Sequence, residues 1–147
     1  MLRTLSWSVL ALIAGAALSA PAEAAEVRDR AGMFSSQAVA KAEAELSRIE
    51  KQTGVPILIE TIASIPGLAK DAPKDEKRKA VNALAVERDR ELDAEGLYML
   101  LSKNDQVLSN VLIRQRYNAV LPEEARLKIR DSFIPAFKEG DFDAGLA

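Results

Sequence analysis

The 147-residue chain contains no cysteine and no histidine. Without cysteine there can be no disulfides, no thiol nucleophiles and no thiolate zinc sites. Without histidine there can be no Ser-His-Asp triad and no histidine base. The groups left for chemistry are carboxylates, hydroxyls, lysine, arginine and tyrosine. A bound metal ion would therefore need oxygen ligands, which favours calcium or magnesium.

Aromatic residues are also scarce, at 5% of the chain, and neither sign of charge dominates. The 20 basic and 22 acidic residues give a formal net charge of −2. No basic stretch is interleaved with aromatic residues, so we expect no nucleic-acid partner. The length fits a single domain with a modest hydrophobic core.

The longest apolar run lies at the start of the chain. It covers residues 5–18, follows a basic residue and precedes an Ala-x-Ala pattern at residues 22–24. This pattern predicts a secretory signal peptide over 1–24 and a mature domain over 25–147. The alternative is a membrane anchor, but the run is short for a span of about 20 residues. We therefore expect an exported protein, periplasmic or extracellular, with no transmembrane segment in its mature part.

Hydrophobic periodicity predicts six elements in the mature chain, in the order α-β-α-β-β-α. The first helix starts at the N-cap Ser35 and ends before Gly54. The last helix opens at Pro122, and we expect it to kink or stop near residues 131–134 because Pro135 has no N–H to donate. The first two helices are predicted over 35–53 and 74–92, and the strands over 55–62, 96–103 and 106–115.

The order of these elements predicts the fold class. A strand–helix–strand unit implies a parallel pair with a right-handed crossover. The turn at Asn104-Asp105 implies an antiparallel neighbour. The predicted fold is α/β: a small mixed sheet, with a parallel β-α-β unit and an antiparallel hairpin, sandwiched between helices. Residues 26–34 are predicted only to lead into the first helix.

Three segments in this order are typical of one family. Residues 27–35 read VRDRAGMFS and match an opening V-x-D-x-A-G-x-L-S. Residues 53–55 read TGV and precede a buried strand, as in the family. Residues 134–146 read IPAFKEGDFDAGL and match the closing L-P-x-F-K-x-G-D-Y-x-x-G-L. Over nearly the whole mature chain, the sequence resembles the TPM domain of thylakoid-lumen phosphatase-like and photosystem II repair proteins.

The resemblance implies an α/β sandwich with a mixed sheet, which agrees with the fold predicted from periodicity. Some members are reported as acid phosphatases, and in some an acidic cluster binds a divalent cation. Others serve the assembly or repair of membrane complexes. Members often continue past the closing motif, so either the sequence is truncated at Ala147 or its last helix is a stub.

The chain departs from the family pattern before the second strand. Where the family has W-x-I-G and D-N-G, residues 88–96 read RDRELDAEG. Against D-N-G, Gly96 matches, Glu95 stands in place of the Asn and Ala94 replaces the Asp. Asp93 lies one residue before the position of that Asp. After the third strand the family often has G-x-G, and here residues 114–117 contain no glycine.

The resemblance suggests a metal site for Ca²⁺ or Mg²⁺ made of Asp29, Glu95 and Asp141. The alternative for Asp141 is structural, because it follows Gly140 and can cap a short last helix. Asp143 fits neither role well. No catalytic residue is identified, and no organic cofactor is expected.

Two further groups have a structural and a functional interpretation. Ser35 and Ser36 are hydroxyl nucleophiles in principle, but with no base nearby they fit helix caps better. Tyr117, with Arg114 and Arg116, would form a small anion-binding patch, or simply an exposed connection.

Three hypotheses follow. The first is an exported TPM-domain protein that acts as a non-catalytic interaction or assembly module in the cell envelope, with an envelope or membrane protein as its partner. The altered D-N-G and the missing glycines favour it. The second is a divalent-metal-dependent, acid phosphatase-like phosphomonoesterase. The third is a truncated, partly degenerate relative with no independent role.

Overall fold

The computed structural model describes residues 25–147, and the predicted signal peptide over 1–24 lies outside them. The described part has five strands, four α-helices and a 3₁₀ turn at Gln115–Tyr117. The strands are β1 (Glu26–Asp29), β2 (Ile57–Ile62), β3 (Leu97–Ser102), β4 (Val107–Leu108) and β5 (Leu112–Ile113). The helices are α1 (Ser36–Thr53), α2 (Lys74–Leu92), α3 (Glu123–Glu139) and α4 (Phe142–Leu146).

The five strands form one mixed sheet. Its order is β1-β2-β3-β4, and β5 also pairs with β3. The strands β1, β2 and β3 run parallel, whereas β4 and β5 are antiparallel to β3. The predicted α/β class, with its parallel β-α-β unit and antiparallel hairpin, is confirmed.

Helices cover both faces of this sheet. One face carries Val27, Ile59 and Met99, which pack with apolar residues of α1, α3 and α4. The other face carries Tyr98 and Leu100, which pack against α2. The alternation along each strand, with every second side chain on the same face, produces these two separate cores.

The helix bounds follow local signals closely. The N-cap hydroxyl of Ser35 accepts a hydrogen bond from the Ala38 N–H, and Gly54 ends α1 in a left-handed conformation with φ 72°. The predicted bounds of α2 match the structure. Of the two outcomes predicted for the last helix near residues 131–134, the stop is wrong, since α3 continues through Pro135 to Glu139. Phe133 and Phe137, 5.6 Å apart between ring centroids, pack this last part of α3 against the core.

Two features of the sheet differ from the prediction. β1 was missed, because it has only four residues, three of them charged, and depends on pairing with β2. The predicted strand over 106–115 consists of the two short strands β4 and β5. The register against β3 shifts by one residue between them, as in a β-bulge. At this bulge the Ser109 hydroxyl accepts a hydrogen bond from the Leu100 N–H at 3.0 Å.

Among residues 25–147, no helix combines the length and the apolar character that crossing a bilayer requires.

Candidate functional site

The first predicted ligand, Asp29, organises the loop that joins β1 to α1. Its Oδ1 accepts hydrogen bonds from the Met33 N–H at 2.9 Å and the Thr61 hydroxyl at 2.6 Å. Its Oδ2 accepts one from the Phe34 N–H at 2.9 Å. Gly32 gives the loop its tight turn with φ 59°. Both carboxylate oxygens therefore already hold the backbone and the neighbouring strand in place.

The second predicted ligand, Asp141, caps α4. Its carboxylate accepts a hydrogen bond from the Ala144 N–H at 3.1 Å, directly after Gly140 ends α3 with φ 74°. The structural interpretation of Asp141 is thus confirmed. Asp143, for which the sequence suggested no clear role, accepts a hydrogen bond from the Ser35 N–H at 2.9 Å. That backbone bond, helped by the Ser35 hydroxyl, lowers the pKa of Asp143 below its ordinary value.

These contacts bring the opening and closing segments of the domain together. Residues 32–35 and 140–143 line a polar pocket of about 390 Å³. The two segments are separated by more than 100 residues in sequence, and Asp143 joins them through one hydrogen bond. The opening and closing motifs of the family resemblance therefore meet at one place in the fold.

The third predicted ligand, Glu95, lies elsewhere. It lies two residues before the start of β3 and forms an ion pair with Arg116 at 3.4 Å. Asp29 ends the parallel strand β1, at the level of Thr61 and Leu101. Glu95 lies six residues before Leu101, which at about 3.3 Å per residue is about 20 Å along the strand. The structure therefore does not bring Glu95 together with Asp29.

Across residues 25–147, no three acidic side chains are grouped in a way that could hold a metal ion. Binding of Ca²⁺ or Mg²⁺ by Asp29 or Asp141 stays a prediction.

The cations near Tyr117 are already engaged. Arg116 lies 4.9 Å above the Tyr117 ring and donates to the Glu95 carbonyl. Arg114 forms ion pairs with Asp89 at 3.4 Å and Asp93 at 3.7 Å. Because neighbouring acids and a ring hold these guanidiniums, the geometry favours the exposed connection over the anion-binding patch.

Sequence reasoning missed a buried charged cluster on the α2 face. Glu60 of β2 is fully buried and accepts hydrogen bonds from the Tyr98 hydroxyl at 2.6 Å and from Arg88. It also forms an ion pair with Arg30 at 3.2 Å. Burial raises the pKa of Glu60, but the bonds from Arg88 and Tyr98 outweigh burial and hold the pKa below its ordinary value.

A signal for this cluster existed in the sequence. Glu60 is the one charged residue in β2, and a charge in such a strand is rarely buried without a partner. In the described part of the chain, no buried polar side-chain atom lacks a hydrogen-bond partner. The cluster is therefore fully satisfied, which fits a structural role better than a reactive one.

Sequence reasoning also missed an apolar groove of about 930 Å³ between α1 and α3. Side chains of β2 and β3, among them Ile57 and Met99, form its floor. On the α1 side the wall includes the small residues Ala38, Ala42 and Ala44, which leave the space unfilled. At its mouth lies Val120, which is 52% exposed. Periodicity marks these positions as apolar but does not show that the two helices stand apart.

A family comparison decides the assignment: the model of the TPM domain matches residues 27–147. The chain belongs to the TPM domain family. Two solved structures support the fold of this TPM domain. The N-terminal domain of a Porphyromonas gingivalis protein is 21% identical with a TM-score of 0.67, covering 84% of this chain and 76% of that one. The N-terminal domain of a Corynebacterium glutamicum protein is 12% identical with a TM-score of 0.64, covering 88% and 78%. Among curated proteins, none matches this chain.

Proposed function

We propose that this TPM domain is exported and acts as a non-catalytic interaction and assembly module in the cell envelope. The observation that carries the proposal is the apolar groove between α1 and α3. In the closing motif, Asp141 is occupied as a helix cap and Asp143 as a link to the Ser35 N–H at the start of α1. The groove, by contrast, offers apolar surface that a partner can still bury.

The occupant we propose is an amphipathic helix of an envelope protein. Two helices form the walls of the groove and strands form its floor, a geometry that suits recognition of a helix by its apolar face. On the α1 wall, Lys41 and Glu45 lie one turn apart and carry opposite charges. A matching helix would carry apolar residues at i, i+3, i+4 and i+7, with an acid facing Lys41 and a base facing Glu45.

The case for export rests on the sequence. The basic residue, the apolar run over 5–18 and the Ala-x-Ala pattern at 22–24 predict a cleaved signal peptide. A domain delivered to the envelope in this way would meet the soluble segments of membrane proteins, which is where an assembly module must act.

The test uses two exposed valines on opposite faces of the molecule. Val120 lies at the mouth of the groove, whereas Val86, 39% exposed, lies on α2. A photo-crosslinking amino acid at each position in living cells should give a discrete crosslinked partner at 120 and none at 86. The partner's helical segment, made as a peptide, should then bind the purified domain in calorimetry.

The matched substitutions decide the outcome. Val120→Glu should weaken binding of that peptide at least about tenfold, because it places a charge in an apolar contact. Val86→Glu should leave the affinity unchanged. Equal weakening by both substitutions, or a crosslink pattern that is the same at both positions, would refute the groove as the docking surface.

The second candidate function is a divalent-metal-dependent phosphomonoesterase. The polar pocket that residues 32–35 form with 140–143 favours it, because Asp141 and Asp143 line that pocket. A bound Ca²⁺ or Mg²⁺ would supply Lewis-acid stabilisation of a phosphoryl oxygen. Turnover of an aryl phosphate that EDTA abolishes, and that Asp141→Asn removes without unfolding the domain, would replace the interaction module with this enzyme.

A further inference from the structure

The backbone nitrogen of Ala25, the first described residue, is held by a carboxylate of α1. The Ala25 nitrogen donates a hydrogen bond to Glu50 Oε2 at 2.8 Å. Ala25 is only 4% exposed, and its methyl group belongs to the core between the sheet and α1. The nitrogen therefore has a fixed position at the point where the chain enters the sheet.

A second glutamate of α1 makes the same kind of contact two residues later. Glu43 Oε1 accepts a hydrogen bond from the Val27 N–H at 3.1 Å. Glu43 and Glu50 lie seven residues apart, so they project from the same side of α1 two turns apart. β1 is the edge strand of the sheet. The two glutamates thus satisfy backbone donors that a neighbouring strand would otherwise take.

The predicted cleavage site falls directly before this contact. Hydrolysis of the bond between Ala24 and Ala25 consumes one water, leaves a carboxylate on Ala24 and frees the amino group of Ala25. An α-amino group has an ordinary pKa of about 7.7–8.0, so the new terminus is largely protonated at neutral pH. The same nitrogen that donates as a neutral amide in the uncut chain then donates as an ammonium.

We propose that removal of residues 1–24 creates an ion pair between the Ala25 ammonium and Glu50, so that processing itself stabilises the mature domain. The inference rests on the export part of the proposed function. A hydrogen bond between two charged groups is stronger than one from a neutral amide. Glu50 is only partly buried, which limits the cost of desolvating its charge.

The experiment compares two purified forms that differ only at the start. One begins at Ala25 with a free amine, and the other retains Ala22–Ala24, so that its Ala25 nitrogen is an amide. The free-amine form should melt about 3–5 °C higher in differential scanning calorimetry. In Glu50→Gln, which keeps an oxygen acceptor but loses the charge, the difference between the two forms should fall below about 1 °C.

Glu43→Gln is the matched control, because Glu43 contacts an internal amide whose charge does not change on cleavage. This substitution should shift both forms equally. N-terminal acetylation of the free-amine form should lower its melting temperature to that of the extended form, a comparison that holds even if Glu50→Gln does not fold. Equal melting of the free-amine and extended forms, or a difference that persists in Glu50→Gln, would overturn the proposal.

Export is tested separately, by the mass of the protein recovered from the envelope. A mature start at Ala25 supports the role of the ion pair in the cell. A start at another residue, or an uncut chain, overturns that role even where the purified forms differ in stability.

Discussion

The two faces of the sheet are covered by helices in different ways. On the α2 face, the fully buried Glu60 is surrounded by Arg88, Tyr98 and Arg30, and its carboxylate is engaged by all three. On the opposite face, α1 and α3 stand apart and leave an apolar groove above the same strands. One face encloses a buried charge, whereas the other is open, with an apolar floor and charged residues only on its walls.

This difference separates stability from binding. A buried carboxylate with a full set of donors contributes to the fold only while its partners remain, and it presents nothing reactive to a ligand. An unfilled apolar groove contributes little to the fold, but a partner that fills it gains the free energy of burying apolar surface. Changes on the α2 face should therefore affect folding, and changes at the mouth of the groove should affect binding.

The largest expected effect on stability comes from removing a partner of the buried Glu60 on the α2 face. Arg88 donates to Glu60 and to Glu91, and its side chain is only 21% exposed. Arg88→Ala leaves the buried Glu60 with too few donors, so we expect the free energy of unfolding to fall by about 3 kcal/mol. Equilibrium urea denaturation measures this loss.

Arg30→Ala is the control for this prediction, because Arg30 contacts the same carboxylate but is 56% exposed. Its removal should cost less than about 1 kcal/mol, since water screens the pair. Equal losses of unfolding free energy from the two substitutions would mean that water reaches the Glu60 carboxylate despite its burial.

The parts of the fold that the sequence predicts well are those specified locally. The cap Ser35, the stop at Gly54 and the whole extent of α2 depend on residues within a few positions of each end. The parallel β-α-β unit follows from element order and the handedness of crossovers. The cap at Asp141 was also predictable, because Gly140 directly precedes it.

What could not be predicted depends on partners far along the chain. The strand β1 exists because it pairs with β2, and the bulge between β4 and β5 exists because both pair with β3. Asp29 and Glu95 lie at opposite ends of two parallel strands, and their separation could not be predicted without knowing which end of a strand each residue occupies. Predicting the groove would have required the distance between α1 and α3, which hydrophobic periodicity does not contain.

A smaller effect on stability should come from the place where residues 32–35 meet residues 140–143. Ser35 caps α1 through its hydroxyl, whereas no hydrogen bond is seen for the exposed side chain of the adjacent Ser36. Ser35→Ala should lower the free energy of unfolding by about 1 kcal/mol, the usual value of a lost N-cap. Ser36→Ala should change it by less than about 0.5 kcal/mol. A reversed order in urea denaturation would contradict the capping geometry.

The smallest expected effect is a pH dependence at the same place. The Ser35 backbone N–H and hydroxyl hold the pKa of Asp143 below its ordinary value of 3.8. A carboxyl whose pKa is lower in the folded state stabilises the fold above the unfolded pKa, and this contribution is lost as the pH falls through the folded pKa. Between about pH 4 and pH 2, Asp143→Asn should therefore lose less stability than the native sequence. An NMR titration in which the Asp143 carboxyl titrates at or above 3.8 would show that the opening and closing segments are not joined in solution.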